Sequence, residues 1–477
     1  MNKKCQVFTP PGYVDKLLDS VGYRMDLMGK KILENSCGDG NILVAIVRRY
    51  IDDCVEKGID KEQISLGLSK DVIGVEIDLE QLEQCRENLN KVAYENDVPP
   101  VSWQLYVEDY LRWEDASKYD YIVGNPPYIT YPEMRKSEQD YLKKNFTTCK
   151  KGKFDYCYAF LEKSIDSLSD VGKMSYLIPS SVFKTVSGKA IREKMKPFVS
   201  SIEEFANVKV FSTALVKSSI VVMEKANCKN EIMYKDESMV TARVIDRACL
   251  GDKWSFAEIE NGNLRFGDYY NVSHAVATLL NEAYVLRDGE YTESGDYYIC
   301  GEYSIEKSVV RQADTPRTKS YNKNEKIIFP YRYENDIVIH YEKEEFEKRF
   351  PRATEYLKHY SDKLKERNAD KNAQWFEYGR SQALTKLNQE KLLMSTVVSK
   401  VPDAFIVDEK TIPYSGLLVT VKEKKQKMGL DTAKQVLESN RFWRYAMSVG
   451  IHINGKSIRI TSRDIENYRF ELGEKSE

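Results

Sequence analysis

Asn125, Pro126, Pro127 and Tyr128 stand in a row at the end of an apolar run, 119–124, whose pattern predicts a buried strand. Two prolines cannot continue a sheet ladder, so the chain must stop and turn there. The turn leaves an amide side chain, a backbone carbonyl and an aromatic ring at the carboxyl edge of a strand. Open α/β sheets hold their ligands at that edge. The Asn125 side-chain oxygen and the Pro126 carbonyl can both accept hydrogen bonds from an exocyclic amine, and the Tyr128 ring can stack on a flat heterocycle. Read alone, the same four residues are a turn that caps a strand, so the weight falls on their surroundings.

A second group lies upstream. A strand carrying Glu34 runs into Cys37-Gly38-Asp39-Gly40 and then into helical spacing over 41–55. Glycines there allow a sharp turn and a close backbone approach to a ligand. The spacing is not G-x-G-x-x-G and the loop has no P-loop lysine, which disfavours phosphate cradling. Glu76, Ile77 and Asp78 close the next strand, where a carboxylate can accept both hydroxyls of a ribose. Asp109 follows the strand 103–107 and can take a hydrogen bond from an adenine amino group. Singly, each acid reads as a helix cap or a turn residue. Together, in order and each at a strand end, they outline a pocket for a nucleoside without phosphate, and S-adenosylmethionine is a molecule of that kind.

Alternating elements must position these groups. Strands are predicted at 31–37, 72–78, 103–107, 119–124, 173–178 and 218–224, with helices at 41–55, 79–92 and 156–168. That rhythm implies an α/β fold, a doubly wound, mainly parallel, Rossmann-like sheet with helices on both faces. From about Asn227 the rhythm loosens and the elements shorten. The reading is a first domain at 1–228 and a second, α+β domain at 229–477. At 477 residues the chain is too long for one ordinary core.

Composition narrows the setting. Hydrophobic content of 42% with 31% charged residues fits a folded soluble protein. No leader and no membrane span is visible, and nine scattered cysteines without a C-x-x-C pair read as reduced thiols in a cytoplasmic protein. His274, His340, His359 and His452 are far apart, and no metal is expected. Lys plus Arg number 72 and Asp plus Glu 74, so any nucleic-acid surface must be local. Basic stretches at 358–371 and 422–427 read either as solvated faces or as DNA contacts.

In this order the motifs resemble the γ class, or Taq type, of S-adenosylmethionine-dependent DNA adenine-N6 methyltransferases. Phe8-Thr9-Pro10-Pro11 resembles the family's N-terminal motif, whose threonine meets the cofactor's methionine carboxylate. The segment from Glu34 through Cys37, Gly38 and Gly40 resembles the cofactor loop, with Asn35 where proline is frequent. Glu76 and Ile77 resemble the ribose-binding acid and its neighbour, and Asp109 the acid that holds the cofactor adenine. Asn125, Pro126 and Tyr128 resemble the catalytic loop, with Asn125 also facing the cofactor. Phe211 resembles the aromatic residue that faces the flipped base. The likeness covers roughly the first 225 residues. Beyond it, Thr278-Leu279-Leu280-Asn281-Glu282-Ala283-Tyr284 resembles a T-G-x-N-x-A-F element with Leu279 in place of glycine. Trp375 to Arg380 resembles a W-x-x-x-G-R segment.

The resemblance implies double-stranded DNA as substrate, a flipped adenine, and a separately encoded restriction endonuclease as the kind of partner. The second domain would recognise the DNA site, with Arg380 a DNA contact or a structural arginine. The same loop also serves enzymes acting on cytosine N4, RNA guanine or protein glutamine. A non-catalytic DNA-binding subunit on this fold is the other alternative. One decoy stands apart: Pro402-Asp403 with Asp408-Glu409-Lys410 mimics a nuclease signature. An odd separation along a strand would send the two carboxylates to opposite faces. The chain also opens on its cofactor motif, so no preceding nuclease domain is expected.

Overall fold

The apolar runs at 31–37, 72–78, 103–107 and 119–124 lie side by side in one nine-stranded sheet. The computed structural model describes residues 9–205, 217–226, 229–237, 239–256, 262–422, 428–453 and 457–471. It divides into two compact units, Met1–Phe256 and Ala257–Glu477.

In the first unit the strands are β1 (Ile32–Glu34), β2 (Val72–Glu76), β3 (Gln104–Val107), β4 (Tyr119–Gly124), β5 (Leu168–Pro179), β6 (Val199–Phe205), β7 (Ser218–Glu224), β8 (Glu231–Asp236) and β9 (Arg243–Asp246). Their order is β3-β2-β1-β4-β5-β7-β6-β8-β9. Strands β1 to β5 pair in parallel, and β7 runs antiparallel to both β5 and β6. Central strands covered on both faces need apolar side chains on both, which is why β1 and β7 read as continuous apolar runs. The order reverses between β1 and β4, and a reversal leaves a crevice at the carboxyl edge.

Helices cover the sheet. Among them, α1 (Pro11–Ser20), α2 (Asn41–Glu56), α3 (Lys61–Asp71) and α4 (Leu79–Glu95) belong to the core around β1 and β2. Asp60 and Asp78 start α3 and α4 by accepting backbone N–H groups of their first turns. The other face carries α5 (Lys136–Asn145), α6 (Cys157–Ser167) and α7 (Lys189–Met195). Helix α3 and strand β6 escape the sequence reading. The apolar residues of α3 are few, and β6 mixes serine and glutamate into a buried strand around a register shift.

The predicted boundary at 228/229 moves to Phe256/Ala257. Asn227, where the βα rhythm breaks, lies outside the described residues. The first sheet continues past it, with β8 parallel to β6 and β9 antiparallel to β8. Trp254 then stacks on Phe183 at 5.7 Å, and Phe256 on Tyr234 at 4.6 Å. The rhythm ended because the added edge strands have no crossover helices, while the core continued.

The second unit is α+β. One antiparallel sheet orders Tyr270–His274, Leu417–Val421, Lys391–Met394 and Ala404–Val407. A second joins Val285–Leu286, Glu325–Ile328, Val310–Asp314 and Ile412–Pro413. The first sheet feeds two cores, one through Leu392, Met394, Leu417 and Val419 and the other, shared with the second sheet, through Leu393 and Leu418. No helix among the described residues is long and apolar enough to cross a membrane.

Trp254 is fully buried, and replacing such a residue with alanine costs on the order of 3–5 kcal/mol. A fragment ending at Phe256 is therefore expected to melt cooperatively, and one ending at Glu224 to melt lower or precipitate. Equal melting temperatures would return the boundary to the break near 228.

Candidate active site

Two loops leave the sheet where its order reverses. The first follows β1 and the second follows β4. They are tied directly, because the Ser36 hydroxyl donates to the Asn125 carbonyl at 3.2 Å. Behind them Asn35 is buried, and its amide donates to Ser164 Oγ at 2.9 Å and to the Tyr176 hydroxyl. The Tyr110 hydroxyl joins Ser164 at 3.1 Å. This network sets the floor beneath both loops. Ser164, Tyr176 and Tyr110 sit on separate elements and offered no sequence signal of a shared role.

The loop after β1 demands its glycines. Gly38 and Gly40 have φ of 52° and 91°, in the left-handed region. A Cβ on Gly40 would lie 2.6 Å from Cys85 Sγ, inside contact distance. Cys37 is buried, its N–H donates to the Val75 carbonyl at 3.1 Å, and its thiol is pushed well up by a bond to Cys85 and by burial. Glu34 is fully buried, and burial, with Cys85 and Glu76 beside it, holds its carboxyl well above the usual range. Its Oε2 has no hydrogen-bond partner.

Glu76 holds the loop in place. Its Oε2 accepts the Gly38 N–H at 3.0 Å, and its Oε1 accepts Ile77 N–H at 2.9 Å and Asp78 N–H at 3.0 Å. Asp78 is the cap of α4. Ile77 is 44% exposed, and Leu79 and Val107 are exposed as well, so apolar surface lines the ends of β2 and β3. Leu79 and Val107 were not among the sequence-derived site residues. Asp109 accepts Leu111 N–H at 3.0 Å and pairs with Arg112 at 2.9 Å, which fixes its carboxylate at the end of β3. Thr9 is buried immediately before α1.

In the second loop, Asn125 Oδ1 is buried, and the buried Tyr128 lies beside Ser218 at the start of β7. Burial pushes the Tyr128 phenol upward. Pro126 follows Asn125 directly, and Tyr156 N–H donates to the Ile129 carbonyl at 2.9 Å, so the segment before α6 closes the far side. Asp155 precedes that anchor. Burial and the nearby Glu133 raise its carboxyl to about 6. Phe211 lies outside the described residues. Glu34, Cys37, Gly38, Gly40, Glu76, Ile77, Asp109 and Asn125 thus share one edge of one sheet.

The second unit brings its two sequence elements together. Arg380 N–H donates to the Ala277 carbonyl and Gly379 N–H to the Thr278 carbonyl, both at 3.1 Å. Arg367 grips the same place through the carbonyls of Thr278, Trp375 and Glu377. The Arg380 guanidinium pairs with Asp370 at 3.2 Å and is about a third exposed. Several cations of the basic stretch are paired, as in Lys358–Glu347 and Lys363–Glu282. In the nuclease-like decoy, Asp403 pairs with Lys400, while Asp408 accepts the N–H groups of Lys410 and Thr411 and the Thr411 hydroxyl. The two acids serve separate turns.

Residues 52–211 match the Eco57I restriction-modification methylase family. That span holds Glu76, Asp109 and Asn125–Tyr128. The chain is 25% identical over 344 residues to the type II restriction enzyme and methyltransferase RM.Eco57I of Escherichia coli, covering 63% of this chain and 34% of that protein. It is 28% identical over 242 residues to the type II methyltransferase M.BstVI of Geobacillus stearothermophilus, covering 45% and 43%. The chain thus spans less than half the length of these relatives. The solved structure of the type IIL restriction-modification enzyme MmeI in complex with DNA superposes with a TM-score of 0.61 at 13% identity, over 97% of this chain and 63% of that one. At that identity the likeness speaks for the fold.

Two measurements follow from the geometry. Glu76→Ala removes three charge-assisted backbone bonds, and hydrogen bonds to a charged group contribute about 1.5–3 kcal/mol. Calorimetry is expected to show nucleoside-cofactor affinity reduced on the order of tenfold or more, and unchanged affinity would place the pocket elsewhere. Asp155 titrates higher folded, at about 6, than its ordinary 3.8. The folded state therefore holds the extra proton between those values, and stability falls as pH rises through that window. Asp155→Asn is expected to raise stability at neutral pH by roughly 1–3 kcal/mol, with the gain vanishing below about pH 4. Thermal melts at the two pH values check it.

Proposed function

We propose, from the premise that the first unit belongs to the restriction-modification methylases, that this chain is a site-specific DNA methyltransferase. It moves a methyl group from S-adenosylmethionine to the N6 amine of an adenine flipped out of double-stranded DNA. The observation that carries this reading is the Ser36–Asn125 bond, which ties the amine-holding loop to the cofactor loop at the sheet's reversal.

The residues fit the cofactor. Glu34 Oε2 is a buried acceptor without a hydrogen-bond partner, suited to an ammonium. Glu76 retains lone pairs for a ribose diol, and exposed Ile77 and Val107 offer apolar faces to an adenine that Asp109 would hold by its amine. Thr9 would meet the methionine carboxylate, and Cys37, Gly38 and Gly40 shape the loop around it. S-adenosylmethionine supplies an electrophilic methyl group.

This chain's part is alignment. A base inside a duplex cannot reach that methyl, so the adenine must leave the stack. Tyr128 then stacks on it, and Phe211 faces it from the other side. Asn125 Oδ1 and the Pro126 carbonyl accept the two amine hydrogens and aim the nitrogen lone pair. Most of the rate comes from this positioning. Asn125 is not a base, and its hydrogen bond strengthens as positive charge builds on nitrogen. The second unit would select the site, with Arg380 exchanging part of its bonding to Asp370 for a base edge or a phosphate. A separately encoded restriction endonuclease in the same cytoplasm would be the natural partner of such an enzyme.

Asn125→Ala leaves the carbonyl that holds Ser36 and deletes only the amide. The expected result is a kcat lowered about 10²–10³-fold with cofactor affinity within a few-fold. Retention of more than about a tenth of the activity would remove Asn125 from the role, by the same measure. Single-molecule sequencing of DNA from cells expressing the chain should report N6-methyladenine at one motif. N4-methylcytosine there would change the substrate base.

A further inference from the structure

The carboxyl edge of the first sheet carries more positive charge than the amine-holding loop needs. The segment between β4 and α6 contains Lys150, Lys151 and Lys153, all exposed. None forms an ion pair among the described residues. The segment is held by its ends. Phe154 packs edge-on to Tyr131 at 5.1 Å, and Tyr156 N–H bonds to Ile129 beside the target loop. Just before them Gly152, at φ 78°, lies against Ser187, where an added Cβ would sit 3.4 Å from Ser187 Cβ. Ser187 belongs to the turn that follows β5, as does Lys184.

A second cation stands where β7 starts. The Lys217 carbonyl accepts Ser180 N–H at 2.8 Å, which places Lys217 opposite the end of β5. Its neighbour Ser218 lies beside Tyr128. Burial and the adjacent Lys184 together hold Lys217 below the usual ammonium range, and Glu204 offsets only part of this. Lys217 is thus a half-buried cation near Lys184, one residue from the serine beside Tyr128. The acid beside Lys217, Glu204, is engaged, since its carboxylate accepts the Tyr234 hydroxyl at 2.8 Å.

We propose that Lys150, Lys151, Lys153, Lys184 and Lys217 form a phosphodiester-binding rim on the catalytic unit, gripping the DNA backbone on either side of the flipped nucleotide. The proposal rests on the methyltransferase reading and extends it. Extruding a base leaves its own and its neighbours' phosphates to be held, and phosphate contacts position a duplex without reading sequence. The rim supplies a grip that is independent of site choice. It also gives the near-neutral chain a local cationic surface where the duplex must be opened.

The test uses the full chain. Lys150→Gln/Lys151→Gln/Lys153→Gln, Lys217→Gln and Lys217→Arg are compared with the parent for duplex binding across salt concentrations, without cofactor. The glutamine variants are expected to bind all duplexes more weakly by a similar factor. The salt slope should fall by roughly one per lost phosphate contact. In turnover the loss should appear mainly as a raised KM for DNA, on the order of tenfold, and Lys217→Arg should restore the slope. Melting temperature and cofactor titration show that the variants are folded. An unchanged slope overturns the rim. So does a change in site preference in place of a uniform loss, or weakening confined to single-stranded RNA. A parent chain that binds no S-adenosylmethionine would overturn the methyltransferase reading instead, and duplex binding would still report on the rim.

Discussion

The parallel pairing of β1 with β4 is the constraint on which the site depends. Ile32 and Leu33 lie against Tyr121 and Ile122, so the two strands end together and their loops leave side by side. Connections turn in opposite directions from that line, which leaves a crevice at the carboxyl edge. A hydroxyl on Ser36 and a carbonyl on Asn125 then suffice to fix one loop to the other. Displacing either strand by one residue would reverse which face each loop residue presents. The chemistry proposed for Asn125 would tolerate no such slip, because aligning a lone pair with a methyl group is most of what that role contributes.

This edge is kept at a cost in stability. Glu34 is buried with one oxygen lacking a hydrogen-bond partner, and Asn35 Oδ1 is in the same condition. A buried acceptor without a partner costs about 1–3 kcal/mol. Burial works against the charged forms of Asp155 and Lys217. These penalties gather on the loops and strand ends at one edge, although Tyr23 in one apolar core also has a buried hydroxyl without a hydrogen-bond partner. A site that must accept charged or polar ligand groups keeps acceptors and cations ready, and the surrounding packing carries the strain.

The sequence made the catalytic half legible because its signals are local. Proline, glycine and acidic residues mark strand ends by their own backbone preferences, and Glu76, Asp109 and Asn125 were placed at strand ends that way. Partnership across the fold is another matter. Asn35 looked like a departure from the expected proline, and only the tertiary structure supplies Ser164 and Tyr176 as its partners. The boundary near 228 was misplaced because β8 and β9 extend a sheet without helical crossovers, so no periodicity announces them. Arg380 was undecided between two roles, and its bond to Asp370 with partial exposure is compatible with both.

Leu279 shows why a motif letter and a motif shape must be separated. The resembling element has glycine at this position, and the leucine seemed to weaken the likeness. Its backbone nevertheless adopts φ 59°, the left-handed conformation that glycine reaches freely. A residue with a Cβ loses roughly 1–2 kcal/mol there. The side chain offsets some of this by lying on Gly379, where a Cβ would come within 2.5 Å of Leu279 Cγ. The second glycine leaves the room that the leucine occupies, and the backbone bonds from Gly379 and Arg380 to Thr278 and Ala277 hold the two segments together. The turn has therefore kept its geometry while changing its residue. Thr278 still accepts Leu280 N–H and donates to Asn281, so what this element does depends on a conformation that glycine made easy and that leucine, against Gly379, still reaches.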